Sequence, residues 1–475
     1  MNALLTLIYL AVSIVIVVLV PTLVTPYVSD YGPVSNFDTA KAVLLCTALA
    51  VGAGFFIYKR EGYGTFLLRL FIAALLVRMI LGTTLYVFRL QDFFGGDAWT
   101  YDYFGWAQLQ GWNGDKFLLS EVEQFTRRGA GSGSGMVYMV ASIYALIGRN
   151  MLATQLVNSV IGAATAPIIF LTAHRIFNNL RVARFSAFAV AFYPSLVLWS
   201  SQGLKDGPIV FFLALAILAT LKVSERMSAK HLGALILAML GLLTFRFYVF
   251  YMMCVAVVGA FVIGLQSVTA KSFARQFVAM MILGLGLTYF GVTRSASLQF
   301  ESYGSLEQLQ RSRLDAATSA ESGFGQDIDV STSGGALATI PTGLVYLLFA
   351  PFPWQMVSLR QSITLPEMII WWASIPMLVL GLWFSIKYRL RMISPMLIFT
   401  AMLSLTYSVF QGNVGTAYRQ RAQLLVFYFV FAAAGLVLVF EKREEKKRRE
   451  LQKRDELTAH RASTLGIAGA RVSEN

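Results

Sequence analysis

The feature that most constrains this chain is a succession of apolar runs, each long enough to matter to a bilayer. A spanning helix needs about 20 predominantly apolar residues. Such runs lie at 3–24, 41–58, 66–88, 151–173, 185–201, 207–223, 232–245, 248–266, 276–293, 366–386, 394–411 and 422–440. Hydrocarbon offers no water to an open backbone, so only helices and closed barrels cross it, and runs of this length read as helices. The expected fold is an all-α polytopic membrane protein with about twelve transmembrane helices. Composition agrees: 57% of the 475 residues are hydrophobic and 13% charged, against about 25% charged in a soluble domain. The first run has no basic segment before it and no small-residue cleavage site, and it reads as a retained helix.

Lys and Arg gather at Lys59-Arg60, from His174 to Arg184, from Lys222 to Lys230, at Lys271 and Arg275, and from Lys387 to Arg391. Basic residues concentrate in cytoplasmic loops. Twelve spans with a cytoplasmic N-terminus put every one of these stretches inside, together with the C-terminus. The expected location is the bacterial cytoplasmic (inner) membrane. The net charge of +14 then points to contact with membrane lipids and not to nucleic acid. Two shorter apolar stretches, 136–148 and 337–352, would break this parity if they crossed, so they are expected at the outer interface as juxtamembrane or re-entrant helices. The chain divides into a transmembrane domain, 1–440, with external loops 89–150 and 294–365, and a basic cytoplasmic tail, 441–475. The tail alternates charges at helical spacing over 441–457 and reads as a solvated helix along the anionic leaflet. Ser305–Gly335, rich in Ser, Gly, Ala and Asp, is expected to include a mobile segment. Cys46 and Cys254 sit inside apolar runs, which supports neither a disulfide framework nor a thiolate metal site. The three histidines fall in or beside inner loops, which excludes a His-rich zinc site outside.

Chemistry is expected on the outer side, where three short pieces stand out. The first follows a span: Phe93-Phe94-Gly95-Gly96-Asp97-Ala98-Trp99-Thr100-Tyr101-Asp102. Its aromatics suit the headgroup layer, its glycines allow a tight exit, and Asp97 and Tyr101 share a face if the piece is helical. A carboxylate at the edge of hydrocarbon suits general-base work; the alternative is an ordinary interfacial helix with solvated acids. The second piece is Leu204-Lys205-Asp206-Gly207-Pro208. Asp206 either caps the next helix, with Pro208 in its first turn, or faces the first loop and positions a polar substrate. The third is Tyr418-Arg419-Gln420-Arg421, whose arginines lie outside against the positive-inside trend. Arg offers planar forked donors that match phosphate oxygens; the alternative for Arg421 is a side chain that snorkels from the helix end. Arg246 is a further outward cation between two runs. Arg78 lies in the middle of the third run, where a charge calls for a buried partner or a function.

Acids after an early span, an acid between middle spans and arginines before the last span together resemble the GT-C membrane glycosyltransferases. The similarity is to the branch that uses polyprenyl-phosphate sugars, which includes protein mannosyltransferases and the aminoarabinose transferase of lipid A. Asp97 to Tyr101 is similar to that branch's D-x-x-x-Y stretch, Leu204-Lys205-Asp206 to its later acid before a span, and Tyr418-Arg419 to its late Tyr-Arg motif. The resemblance implies a polyprenyl-phosphate-linked sugar donor and a glycan, lipid or protein acceptor. It implies Asp97 as the base that deprotonates an acceptor hydroxyl for inverting attack, with Arg419 and Arg421 on the leaving phosphate. Tyr101, Asp102, Lys205, Asp206, Arg246 and Tyr418 are the expected substrate-binding residues. No metal is required in principle, although Asp97 with Asp102 or Asp206 could hold a divalent ion through oxygen ligands. Two other readings remain at this point: an O-antigen-type polymerase or ligase, and a lipid-linked oligosaccharide flippase or solute transporter.

Overall fold

The computed structural model describes residues 3–24, 34–59, 62–94, 96–129, 131–264, 270–289, 291–292, 296, 299, 304–318, 322–326, 328–356 and 358–472. Gly95, Arg60 and parts of the Ser/Gly-rich stretch expected to be mobile lie outside the described residues. Regular structure among the described residues is helical, apart from an isolated bridge between Gly323 and Asn413. The chain begins with α1 (Ala3–Val24), α2 (Asn36–Tyr58) and α3 (Gly64–Val87). The first long loop carries α4 (Asp97–Trp112), α5 (Lys116–Arg128) and α6 (Ser134–Ile147). Then come α7 (Met151–Phe177), α8 (Leu180–Phe192), α9 (Pro194–Ser200), α10 (Asp206–Glu225), α11 (Ala229–Phe245), α12 (Phe247–Ile263) and α13 (Ala270–Tyr289). The second long loop holds α14 (Leu306–Thr318), α15 (Ser333–Phe349) and the short α16 (Leu359–Ser362), before α17 (Leu365–Phe410) and α18 (Val414–Val472).

The all-helical membrane architecture is as expected, but among the described residues length and composition alone support seven crossings, or eight if the bent pair α8–α9 is one span. Three expected runs, 232–245, 248–266 and 276–293, fall in α11, α12 and the apolar part of α13, which are shorter. Two others, 366–386 and 394–411, are merged in α17, whose backbone is non-helical at Arg389. Its halves fold back on each other. Trp371 stacks on Tyr428, and Ser404 Oγ lies 2.8 Å from the same Tyr428 hydroxyl; in one straight helix those two positions would be ~50 Å apart. The apolar part of α18 is held against α17 by small residues, since a Cβ on Gly381 would overlap the Phe431 carbonyl and one on Gly435 that of Met377. Such backbone contact is how helices associate in lipid, where hydrophobicity gives no drive. Beyond it α18 continues through the charged segment, exposed as expected.

The bent pair explains Arg78. The chain turns by 53° between α8 and α9, at Tyr193-Pro194. Proline has no N–H, so the helical donor to the Val190 carbonyl is missing. Arg78, 1% exposed, supplies the deficit. Its Nη1 donates to the carbonyls of Ala191 at 2.7 Å and Ala74 at 3.1 Å, its Nη2 to Val190 at 3.4 Å, and its Nε to Ser200 Oγ at 2.8 Å. Gly162 makes room, because a Cβ there would press on Ser200 and on the Arg78 Nε. The partners of this mid-span cation are thus carbonyls and a hydroxyl. Arg78→Met is expected to lower the thermal midpoint in detergent by the equivalent of about 1–3 kcal/mol for each carbonyl it strands; an unchanged midpoint would mean the break is satisfied another way.

The bundle has two chemically distinct ends. At one end Tyr63 meets His174 at 3.0 Å, Arg175 pairs with Glu225, and Asn179 and Arg181 reach Glu441 and Glu444 at the start of the tail. These are the basic stretches that the sequence groups together. At the other end Asp97, Asp206, Arg246 and Arg419 converge.

Candidate active site

Each of these four residues stands at the end or break of a helix. Gly96, with a left-handed φ of 71°, turns the chain into α4, so that Asp97 is its first residue. Asn158 of α7 donates from one amide to the carbonyls of Gln202 at 2.6 Å and Leu204 at 2.7 Å. That fixes the tight turn before α10 and presents Lys205 and Asp206. Arg246 has extended backbone, φ −161°, at the junction of α11 and α12. Arg419 lies in the first turns of α18.

Arg419 is the centre of the cluster. Its Nε and Nη2 donate to Asp206 Oδ2 at 2.8 and 2.6 Å, and its Nη1 donates to Asp97 Oδ2 at 2.5 Å. The guanidinium also lies 5.5 Å from the centre of the Trp199 ring, a cation–π contact that fixes its plane. Arg246 Nη2 approaches Asp206 Oδ1 at 3.8 Å. Asp206, 1% exposed, makes no side-chain cap on α10; its carboxylate is committed to Arg419. Burial, and next the neighbouring Arg246, push the Lys205 ammonium down to about 7.

All of these side chains except Asp206, which lies behind Arg419, line a cavity of about 1110 Å³. Asp97, Lys205, Arg246 and Arg419 form its charged head, and Trp199, Tyr418, Asn413 and Thr416 are also on its walls. One wall is apolar and follows α3 and the bent pair, with Val77, Leu81, Phe192, Pro194, Val197 and Leu198. Val77 stands ten residues before the end of α3, so this wall reaches ~15 Å into the span. The cavity therefore joins an interfacial charged pocket to the hydrocarbon.

Other expected site residues are placed differently. Arg421 does not reach the cavity. It is 1% exposed, donates from Nε to the Leu347 carbonyl at 2.6 Å and from Nη2 to that of Ala350, and lies 3.1 Å from Met368 Sδ. It satisfies the unpaired carbonyls at the C-terminus of α15, as cations do at helix ends. Asp102 also faces away, toward Tyr144 and toward Arg149 Nη2 at 2.5 Å. Tyr101 is buried behind the head of the cavity, its hydroxyl against Gly133. Burial, and then the Asp97 carboxylate, hold that phenol above its usual range, so it stays a hydrogen-bond donor. Tyr418 is on the wall and donates to Glu367 Oε2 at 2.7 Å.

Glu367 is the functional candidate that sequence reasoning missed. It lines the cavity, is 5% exposed, and follows Pro366 at the start of α17; from sequence it reads as a first-turn acid. As for metal, Asp97 and Asp206 share the Arg419 guanidinium between them, and Asp102 points elsewhere. Among the described residues no group of three or more His, Cys, Asp or Glu side chains converges.

Residues 134–291, about a third of the chain, match the family model for dolichyl-phosphate-mannose-protein mannosyltransferase. No curated protein matches the sequence. Among solved structures, the chain is similar to the Archaeoglobus fulgidus oligosaccharyltransferase AglB in complex with an inhibitory peptide and a dolichol-phosphate. That similarity has 13% identity and a TM-score of 0.40, and covers 67% of this chain and 44% of that one. The apo form of an Archaeoglobus fulgidus oligosaccharyltransferase is similar at 13% identity and a TM-score of 0.45, over 82% of this chain and 52% of that one. The chain thus spans about half the length of these two proteins. Over residues 134–291 the chain is therefore similar to a family of membrane glycosyltransferases that use a lipid-phosphate-linked sugar.

Proposed function

We propose that the protein transfers a sugar from a polyprenyl-phosphate donor to an acceptor hydroxyl at the outer face of a bacterial cytoplasmic membrane. The observation that carries this reading is the cavity itself: a charged head built on Arg419, continuous with an apolar wall down to Val77 and Phe192. A molecule with an anionic head and a long apolar tail suits both parts. In the reaction, the acceptor oxygen forms a bond to the anomeric carbon as the carbon–oxygen bond to phosphate breaks, with inversion. Asp97 takes the acceptor's proton. Arg419, Arg246 and Lys205 stabilise the charge that develops on the leaving polyprenyl phosphate, which preorganised cations do at no further reorganisation cost. Glycan, lipid and protein hydroxyls are all compatible acceptors. A transport mechanism would use ionisable groups at mid-membrane, whereas Arg78 is committed to backbone carbonyls.

The test uses purified protein with a labelled sugar on undecaprenyl phosphate and, separately, on a nucleotide. Label is expected to pass to acceptor from the lipid donor alone, with release of undecaprenyl phosphate. Transfer from the nucleotide sugar, or movement of intact lipid-linked sugar across a vesicle without transfer, would overturn the reading.

A further inference from the structure

The acid proposed as base and the cation proposed to meet phosphate are bonded to each other. Arg419 holds Asp97 through Nη1 and Asp206 through Nε and Nη2. The two acids are not equivalent partners. Asp206 is 1% exposed and has Arg246 as a second cation. To part it from Arg419 would strand a buried charge. The Asp97 side chain is 48% exposed and stands on the cavity wall, so it can leave Arg419 and be solvated. Trp199 and Asp206 keep the guanidinium in place. An anion that competes for Arg419 from within the cavity therefore meets a fixed cation with one exchangeable partner, and that partner is Asp97.

We propose that the Asp97–Arg419 pair is a latch: a phosphate in the cavity takes Nη1 of Arg419 from Asp97, and only then is Asp97 Oδ2 free to take the proton of an acceptor hydroxyl. The inference rests on the lipid-phosphate donor reading. No covalent bond changes in this step; Arg419 keeps Asp206 and exchanges a carboxylate oxygen for a phosphate oxygen. Two consequences follow. The donor binds before the acceptor is activated, because in the empty site Asp97 Oδ2 is held by Arg419. Asp97 also works in opposite directions, as a competitor of phosphate in the resting protein and as a proton acceptor during turnover.

That opposition gives the test. Binding of undecaprenyl phosphate, and of undecaprenol as its uncharged counterpart, is measured on detergent-purified wild type, Asp97→Asn and Asp97→Ala, so that either folded variant suffices. Wild type is expected to prefer the phosphate. The variants are expected to bind it at least about tenfold more tightly than wild type, the lower end for one lost competing hydrogen bond to a charged group, with undecaprenol binding unchanged. Equal or weaker phosphate binding in the variants, with the wild-type preference intact, overturns the latch and leaves the donor reading standing. A wild type without preference for the phosphate overturns the donor reading, and the latch with it.

Discussion

Asp97→Asn is expected to reduce sugar transfer by about 10²–10⁴-fold, the usual contribution of a general base, in a protein that remains folded. Asparagine keeps the size of aspartate and one acceptor oxygen but replaces the proton-accepting carboxylate by an amide. The side chain is half-exposed on the cavity wall, and Arg419 retains Asp206 when Asp97 is neutralised. The stability change should therefore be about 1 kcal/mol or less, near the range of surface substitutions. Single-turnover transfer and the thermal midpoint, both read on one preparation, separate the two effects. A stable variant with near-normal turnover would remove Asp97 as the base, and Glu367, the other acid on the cavity wall, would be the next to test.

Asp206→Ala should do the reverse and act first on the fold. This carboxylate is buried, receives two donors from Arg419 and lies 3.8 Å from Arg246. Its removal leaves the buried Arg246 and the partly buried Arg419 guanidinium groups facing each other with Asp97 as the remaining counter-charge at the head of the cavity. Breaking a buried pair from one side destabilises by about 3–5 kcal/mol, so a steep fall in thermal midpoint and in purified yield is expected. Asp206→Asn, which retains an acceptor oxygen but no charge, should fall between the alanine variant and wild type. A midpoint unchanged by the alanine substitution would show that Asp206 does not hold the two arginines.

The residues at the head of the cavity were legible because of where they sit along the chain. Asp97, Asp206, Arg246 and Arg419 each stand at the edge of an apolar run, and the alternation of runs predicts one common face for them. What proximity in sequence does not convey is rotation. Two residues along a helix, Arg421 points roughly 200° away from Arg419, into the end of α15. Asp102 is about 140° round from Asp97 by the same rule and meets Tyr144 and Arg149. Which carbonyls need a donor depends on where another helix stops, and that is set by tertiary packing. The same holds for α17. Its two expected runs are correct as segments, but the reversal at Arg389 leaves no turn residue such as glycine at that position. Glu367 acquires its significance from Tyr418, 51 positions further on.

Arg78 has a consequence for how the chain is made. Apart from Ala74 in its own helix, the carbonyls it serves belong to residues 112 and 113 positions further along, which at a synthesis rate of about 5–20 residues per second do not exist until roughly 5–25 s after Arg78 leaves the ribosome. During that interval α3 carries an uncompensated guanidinium near its middle, a penalty of about 2.5–3.5 kcal/mol on the insertion scale. The rest of the helix must outweigh it, and its run of Leu, Ile, Val, Phe and Ala residues is suited to do so. The third span thus enters the membrane on its own apolar residues and holds its charge in reserve for a neighbour still to be translated.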